Sequence, residues 1–131
     1  MKLNPDCIRD VLLYLEENLS ISPELEFLHM DIHQLGKDLN YPLNEIANTV
    51  LSLNDAGFIV SDTFSAGDGC VMIMISRITY SGYEFIELVR AESVWKKVKS
   101  TGKHIGSFSF SVITQIATNV LSSLVNGQLN P

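Results

Sequence analysis

The chain has 131 residues, of which 46 % are hydrophobic and 18 % are charged, and it carries a formal net charge of −6. This length fits one domain with at most a small added element, and the composition indicates a globular chain that can bury a core. The acidic balance disfavours partners that present a dense array of phosphates. Lys2, Asp6 and Arg9 leave no room for the apolar region of a secretory signal, so we expect a cytoplasmic protein.

The first predicted helix begins at Asn4, Pro5 and Asp6, where a capping residue precedes a proline in the first turn. Apolar residues then recur at helical spacing, and they predict a helix that runs to about Asn18. Residues 20–23 interrupt this pattern and end the helix.

A short edge strand and a second helix are predicted next. Leu25, Phe27 and His29 alternate along the chain in a way that favours the strand. The helix covers about residues 31–39 and is followed by a turn at residues 40–42.

The third predicted helix, about Asn44–Ala56, leads into a β-hairpin. It ends at Gly57, because glycine commonly adopts the left-handed conformation that stops a helix. Its apolar residues are expected to be buried, and these are Ile46, Ala47, Val50, Leu51 and Leu53. Two strands at residues 58–64 and 70–79 are joined by a turn at residues 65–69, whose glycines favour a tight hairpin.

Two further helices complete the chain. The fourth is predicted over about residues 81–100, and the last over about residues 107–125. Gly102 and Gly106 are expected to mark a joint between them.

The order of helix, turn, helix and β-hairpin predicts a winged helix-turn-helix, which is an α+β and mainly helical fold. We assign the winged helix to residues 1–89. Residues 90–131 are predicted to form a basic joint and an uncharged C-terminal helical extension that serves for oligomerisation.

The third helix would read DNA in a DNA-binding member of this fold, yet residues 44–56 contain no Lys or Arg. DNA readers bind phosphates through many cations, and Glu45 and Asp55 would oppose such contacts. We therefore expect the outward side of this helix to dock a protein. The predicted docking residues are Asn44, Asn48, Thr49 and Ser52. The alternative is DNA binding with cations supplied by the rest of the chain or by a second copy.

A basic patch follows the predicted winged helix. Residues 90–104 hold five basic residues against Glu92, whereas residues 1–60 hold three basic and ten acidic residues. The patch consists of Arg90, Lys96, Lys97, Lys99 and Lys103. One interpretation is a solvated helix C-terminus, where cations interact favourably with the helix dipole. The other is an electrostatic anchor for an acidic partner, such as the acidic body of a second copy.

The last predicted helix is unusual because residues 105–131 carry no charged residue. Its apolar arc is about twice the ~100° that one-sided packing requires. We expect it to self-associate through Phe108, Ile113, Ile116, Val120, Leu121 and Leu124. Ordinary core packing is the alternative. A membrane span is disfavoured because it needs ~20 mostly apolar residues, and a helix lying on a membrane usually carries Lys or Arg.

No catalytic, cofactor or metal site is predicted. His29 and His33 have the four-residue spacing of many zinc ligands, but the sequence marks no third or fourth ligand. Cys7 and Cys70 lie in apolar segments, and we expect both to be reduced thiols that face the core. A disulfide between them is the alternative.

Several segments resemble an uncharacterised family of small proteins from phages, prophages and Gram-positive bacteria. They are M-K-L-N-P-D-C-I-R-D-V-L-L-Y-L-E-E-N (1–18), L-N-D-A-G-F-I (53–59), I-T-Y-S-G-Y-E-F-I (78–86), V-W-K-K-V-K (94–99) and the closing uncharged helix. The chain departs from the family pattern at Pro42 and Asn44-Glu45, where relatives tend to open the helix with Ser and Glu. The resemblance implies a winged helix with a C-terminal extension and a mobile-element origin, but no activity.

The expected function is therefore non-enzymatic. The protein would act through protein–protein contact and self-association, modulating a host or phage complex. The alternative is a DNA-binding transcriptional regulator of a mobile element.

Overall fold

A computed structural model describes residues 1–65 and 67–129, and the chain divides into two units, Met1–Tyr83 (unit 1) and Glu84–Pro131 (unit 2). The division falls within the helix Tyr80–Val89. In the described residues, no helix is both long enough and apolar enough to cross a membrane.

Helix α1 spans Pro5–Asn18 and begins where the sequence predicts. The side-chain oxygen of Asn4 accepts hydrogen bonds from the backbone N–H groups of Asp6 at 3.0 Å and Cys7 at 3.4 Å. The Asn4 amide also donates to Oε1 of Glu45 at 2.8 Å. Asn4 therefore satisfies two N–H groups that the first turn leaves unpaired, and it also ties α1 to a distant residue.

We expect Asn4→Ala to lower the free energy of unfolding by about 1 kcal/mol, the usual cost of losing an N-cap. Urea unfolding followed by circular dichroism measures this change. Asn44→Ala is the matched control, because Asn44 is exposed and does not cap a helix. The control should shift stability by less than ~0.5 kcal/mol. Equal midpoints for the two variants would contradict the capping role.

A small two-stranded sheet follows α1, formed by β1 (Ser20–Ile21) and β2 (Phe27–Leu28). The predicted strand through Leu25, Phe27 and His29 is correct only at Phe27. Leu25 lies in the turn of this hairpin with a φ of 65°, and His29 lies in the connection that follows β2.

One strand that the sequence did not predict and two predicted helices come next. Strand β3 spans Met30–Asp31, helix α2 spans Ile32–Asp38 and helix α3 spans Leu43–Asp55. Asp31 caps α2 by accepting a hydrogen bond from the backbone N–H of His33 at 2.8 Å. Gly57 follows α3 with a φ of 80°, which confirms the predicted left-handed stop.

Strands β4 (Ile59–Ser65) and β5 (Val71–Ile78) form the predicted hairpin. They pair antiparallel, with an irregularity between Val60 and Ser61, and β3 joins the other side of β5. The three-stranded sheet therefore has the order β3-β5-β4. Ala66, in the predicted turn at 65–69, lies outside the described residues.

The core of unit 1 lies among α1, α2, α3 and the three-stranded sheet. Helix α1 contacts α3 and β5, α2 contacts α3 and β5, and α3 contacts β4. Its largest fully buried side chains include Ile8, Leu12, Leu15, Leu35, Ile46, Leu53, Ile73 and Ile75. Helices packed on one antiparallel sheet make this an α+β architecture, as the sequence predicts.

The predicted helix over residues 81–100 is wrong, because the chain forms two helices there, α4 (Tyr80–Val89) and α5 (Glu92–Ile105). Ala91 separates them in an extended conformation with φ −71° and ψ 129°. On one continuous helix, at ~100° per residue, two apolar groups would point in nearly opposite directions. These groups are Phe85, Ile86 and Val89, and Val94, Trp95 and Val98. The break allows all six side chains to be buried.

The second correction in this region concerns the joint. Gly102 lies inside α5, and Gly106, with a φ of 87°, ends that helix. A Cβ at position 102 would lie 2.4 Å from Cε1 of Phe108, so close packing explains this glycine.

Helix α6 spans Phe110–Leu129, so it begins and ends later than predicted. Ser109 Oγ accepts a hydrogen bond from the backbone N–H of Val112 at 3.2 Å, which places a serine before the first turn. The rings of Phe85 and Phe110 meet edge to face at 5.8 Å, and α5 contacts α6 directly.

Candidate protein-docking surfaces

One side of α3 faces outward from the core of unit 1. The buried residues of this helix are Ile46, Thr49, Val50 and Leu53. The opposite side of the helical wheel carries Asn44, Asn48, Leu51 and Asp55, which we call the α3 face. It contains no Lys or Arg. Asn44, Leu51 and Asp55 are exposed, whereas Asn48 and the predicted residue Ser52 are half-buried.

Thr49 does not belong to this face, and its predicted outward position is wrong. Its side chain is only 1 % exposed, and Oγ1 donates a hydrogen bond to Sγ of Cys7 at 3.3 Å. Thr49 follows Ile46 by three residues and precedes Leu53 by four, and both spacings place side chains on one side of a helix.

Leu51 is the reverse case, because the sequence predicts that it is buried and it is 38 % exposed. Ala47, also expected in the core, is half-buried. Two positions along a helix turn a side chain by ~200°, so Leu51 points away from the buried Leu53. The α3 face therefore has an apolar centre between two amides and a carboxylate.

The charges of the two units differ in sign. Unit 1 holds four basic and twelve acidic residues, a net charge of −8, and unit 2 holds five basic and three acidic residues, a net charge of +2. Glu45, next to the α3 face, accepts the hydrogen bond from Asn4. Because Glu45 and Asp55 are both acidic, the field around this face repels phosphate.

The two cysteines are both free thiols in different surroundings. Burial raises the pKa of the Cys7 thiol, and the hydrogen bond from Thr49 acts in the opposite direction. Cys7 is therefore a neutral core residue, as expected. Cys70 is exposed, which corrects its predicted core position, because it follows the hairpin turn and precedes the first residue of β5.

The basic patch lies mainly on α5. Lys96, Lys99 and Lys103 recur at three- and four-residue spacing, so they share the side of the helix opposite Val94 and Val98. Lys97 is exposed beside this row. Arg90 precedes α5, and its guanidinium lies 2.7 Å from Oε1 of Glu87. The structure thus groups Lys96, Lys99 and Lys103 on one side of α5, whereas Lys97 lies off that row and Arg90 lies before the helix.

Part of the predicted self-association surface is in the core. Ile113 is 0 % exposed and Ile116 is 8 % exposed, because the first half of α6 packs within its own chain. Phe108 packs against Gly102 of α5. Ile113 and Ile116 are therefore not an accessible surface in this structure, whereas Phe108 is half-buried.

The second half of α6 remains accessible. Val120 and Leu121 are half-buried, Leu124 is 47 % exposed, and Val125, which the prediction did not include, is also exposed. We call these four residues the α6 terminal surface. The apolar arc that the sequence shows is thus divided along the helix into a buried half and an exposed half.

The histidines do not form a metal site. His29 precedes α2, and Nδ1 of His33 lies 2.7 Å from Oδ1 of Asp31. In the part of the chain that the structure describes, no group of three or more His, Cys, Asp or Glu side chains could hold a metal ion.

The apolar surface of the β4–β5 hairpin was not predicted from the sequence. Phe64 and Met72 are directly opposite each other in the register, and both are exposed, as is Val71. The alternation of apolar residues along β5 was visible in the sequence, but the exposed side of the hairpin was not. The charged residues of the sequence between positions 62 and 72 are Asp62 and Asp68, so the outer part of this wing is apolar and acidic, and Arg77 lies at the far end of β5.

The model of a family described as hypothetical protein (DUF2513) matches residues 2–109. This match confirms the resemblance to an uncharacterised family, and it ends before α6 begins at Phe110. No curated protein and no solved structure gives a significant match.

Proposed function

The chain belongs to the DUF2513 family of hypothetical proteins, and from its surfaces we propose that it is a non-enzymatic winged-helix protein that binds another protein through the α3 face. In the proposed role it modulates a host or phage complex, as a protein of mobile-element origin would. A fold by itself does not define a function, so the proposal depends on the chemistry of that face.

The element order supports the winged-helix part of this proposal. Helix α1 is followed along the chain by the small hairpin β1–β2, and then by strand β3, helices α2 and α3, and the hairpin β4–β5. A winged helix has this order, with a short first strand that pairs with the second strand of the wing. The sheet order β3-β5-β4 agrees with that arrangement.

The exposed Leu51 at the centre of the α3 face carries the protein-binding proposal. An apolar side chain surrounded by amides and a carboxylate gives a polypeptide partner an anchor and a polar rim. A phosphate backbone would find no cation on this face or on the outer part of the wing, residues 62–72, because Arg77 lies at the far end of β5.

A photo-crosslinking amino acid at Asn48 tests the proposal in cells that carry the phage or prophage. We expect discrete protein adducts from Asn48, and none of the same mass from Lys37, an exposed control position in α2. When Leu51→Asp is combined with the crosslinker at position 48, the yield of protein adducts should fall about 5- to 30-fold. This factor corresponds to losing an anchor that contributes about 1–2 kcal/mol to binding. Identical adducts from both positions, or capture unaffected by Leu51→Asp, would contradict docking at this face.

The alternative function is DNA binding by a regulator of a mobile element. Asn44 and Asn48 favour it, since asparagine side chains can pair with adenine in the major groove. Gel shifts on a phage intergenic library at increasing salt distinguish the two functions. A regulator binds tightly at low salt and weakens steeply as salt rises. The protein-binding proposal expects no such complex.

Two further surfaces complete the proposed function. The α6 terminal surface mediates self-association, because it carries no charged residue and so brings no like charges into direct contact when two copies of a protein with net charge −6 meet. The four lysines of α5 form an electrostatic anchor for an acidic polypeptide, which would accelerate association more than it would strengthen the complex.

A further inference from the structure

A pocket lies in unit 1, away from the α3 face. It has a volume of about 390 Å³ and is formed where α1 ends, where β5 ends and where α4 begins. Leu19, Ser20 and Ile21 form one part of its lining, and Tyr83 lies in the first turn of α4. The lining from β5 is Ser76, Arg77 and Ile78. This volume falls in the ~300–1,000 Å³ range of small-molecule sites.

The lining combines an apolar wall with a cation. Leu19, Ile21, Ile78 and the ring of Tyr83 supply the apolar area. Ser76 Oγ already donates a hydrogen bond to the backbone oxygen of Val60 at 3.1 Å, so its hydroxyl proton is not available to a ligand. The strongest donor left in the lining is the guanidinium of Arg77.

Arg77 is an exposed cation of unit 1. It is one of four basic residues against twelve acidic ones, yet within the described residues no carboxylate forms an ion pair with it. Among those same residues, no Asp or Glu lines the pocket. An unpaired arginine beside apolar side chains favours a planar anion, which it can bind through two parallel hydrogen bonds.

We propose that this pocket binds a small monocarboxylate carried on an apolar body. One guanidinium balances one negative charge, whereas a phosphate would bring a second charge into a unit with a net charge of −8. The apolar residues Leu19, Ile21 and Tyr83 contact the body of the ligand, and Arg77 binds its carboxylate. This site is separate from the proposed docking function and does not depend on it.

Titration of the ¹⁵N-labelled full chain with 3-phenylpropionate tests the site by NMR. We expect saturable shifts of the backbone amides at residues 19–21 and 76–78. The neutral isostere 3-phenylpropionamide should bind about 10- to 100-fold more weakly, because it loses the charge-assisted hydrogen bonds. Equal binding of the two probes, or shifts centred elsewhere, would overturn the proposal, and this comparison needs no variant.

Arg77→Ala should weaken the binding of 3-phenylpropionate by the same factor of about 10 to 100. It should leave the affinity for 3-phenylpropionamide unchanged. Lys37→Ala is the matched control, because Lys37 is an exposed cation of the same unit outside the pocket, and it should bind like the wild type. A peptide that ends in phenylalanine is titrated as a third probe. Binding of that peptide without binding of 3-phenylpropionate would reject a small-molecule site.

Discussion

Replacing Gly82 by Ala is expected to lower the free energy of unfolding by about 3 kcal/mol, the upper end of the usual cost of overpacking. A Cβ at position 82 would lie 2.0 Å from the backbone oxygen of Phe58 and 2.7 Å from Cγ2 of Ile78. That oxygen accepts a hydrogen bond from the backbone N–H of Thr79 at 3.0 Å. The clash therefore cannot be relieved without disturbing a bond at the start of α4.

The side chain of Thr79 ties the same turn together more firmly. Its Oγ1 donates to the backbone oxygen of Gly57 at 2.5 Å and accepts from the backbone N–H of Gly82 at 3.1 Å. Moving the first turn of α4 away from Phe58 would strain both contacts. The chain thus needs a residue without a Cβ at position 82 because two backbone segments approach closely.

Gly127→Ala is the matched control for this prediction, since Gly127 also lies in a helix but has open space where a Cβ would be. Apart from the backbone of its own helix, none of the described residues comes within 4 Å of that position. The change should be neutral or stabilise the protein by up to about 1 kcal/mol, because alanine favours a helix more than glycine does. Chemical unfolding followed by circular dichroism compares the two variants. A Gly82→Ala protein as stable as the wild type would contradict the close approach of Phe58.

The sequence predicted α1, α2, α3 and the β4–β5 hairpin because each has a clear local signal. Asn4 and Asp31 cap helices, Gly57 ends one, and the apolar period changes where the hairpin begins. Local start and stop signals of this kind depend little on the rest of the fold, so they can be recognised without it.

The break between α4 and α5 has no such signal. Arg90 and Ala91 both favour helices, so local propensity predicts that the helix continues. The only sign of the break was that the apolar groups around Ile86 and Trp95 would lie on opposite sides of one continuous helix. A helical wheel of the whole segment would have shown this. Burial of both groups outweighs the helical preference of two residues.

The surfaces were predictable to different extents. Asn44 and Asn48 were identified because they alternate with the apolar residues of α3, whereas Thr49 and Leu51 exchanged places because the predicted buried arc was too broad. The Arg77 pocket could not be predicted, since its lining joins residues 19–21 to residues 76–83, which are distant in sequence and adjacent only in the fold.

Ile113→Asp is expected to have the other large effect, lowering the free energy of unfolding by about 4 kcal/mol. The variant loses the buried isoleucine and places a carboxylate where the side chain is 0 % exposed. Leu124→Asp, on the same helix and 47 % exposed, should cost no more than about 1 kcal/mol. Replacement of an apolar residue by Asp should therefore destabilise the protein strongly in the buried half of α6 and only slightly in its exposed half.

Light scattering on the same two variants tests the proposed self-association. Leu124→Asp should be folded and monomeric at concentrations where the wild type is oligomeric, because it places like charges in the contact between copies. Unfolding measured by circular dichroism distinguishes a lost contact between copies from a lost fold. If the oligomer disappeared because the fold was lost, the unfolding midpoint would fall as well. A monomeric wild type would end the self-association proposal. A Leu124→Asp protein as unstable as Ile113→Asp would instead show that the end of α6 is buried in solution.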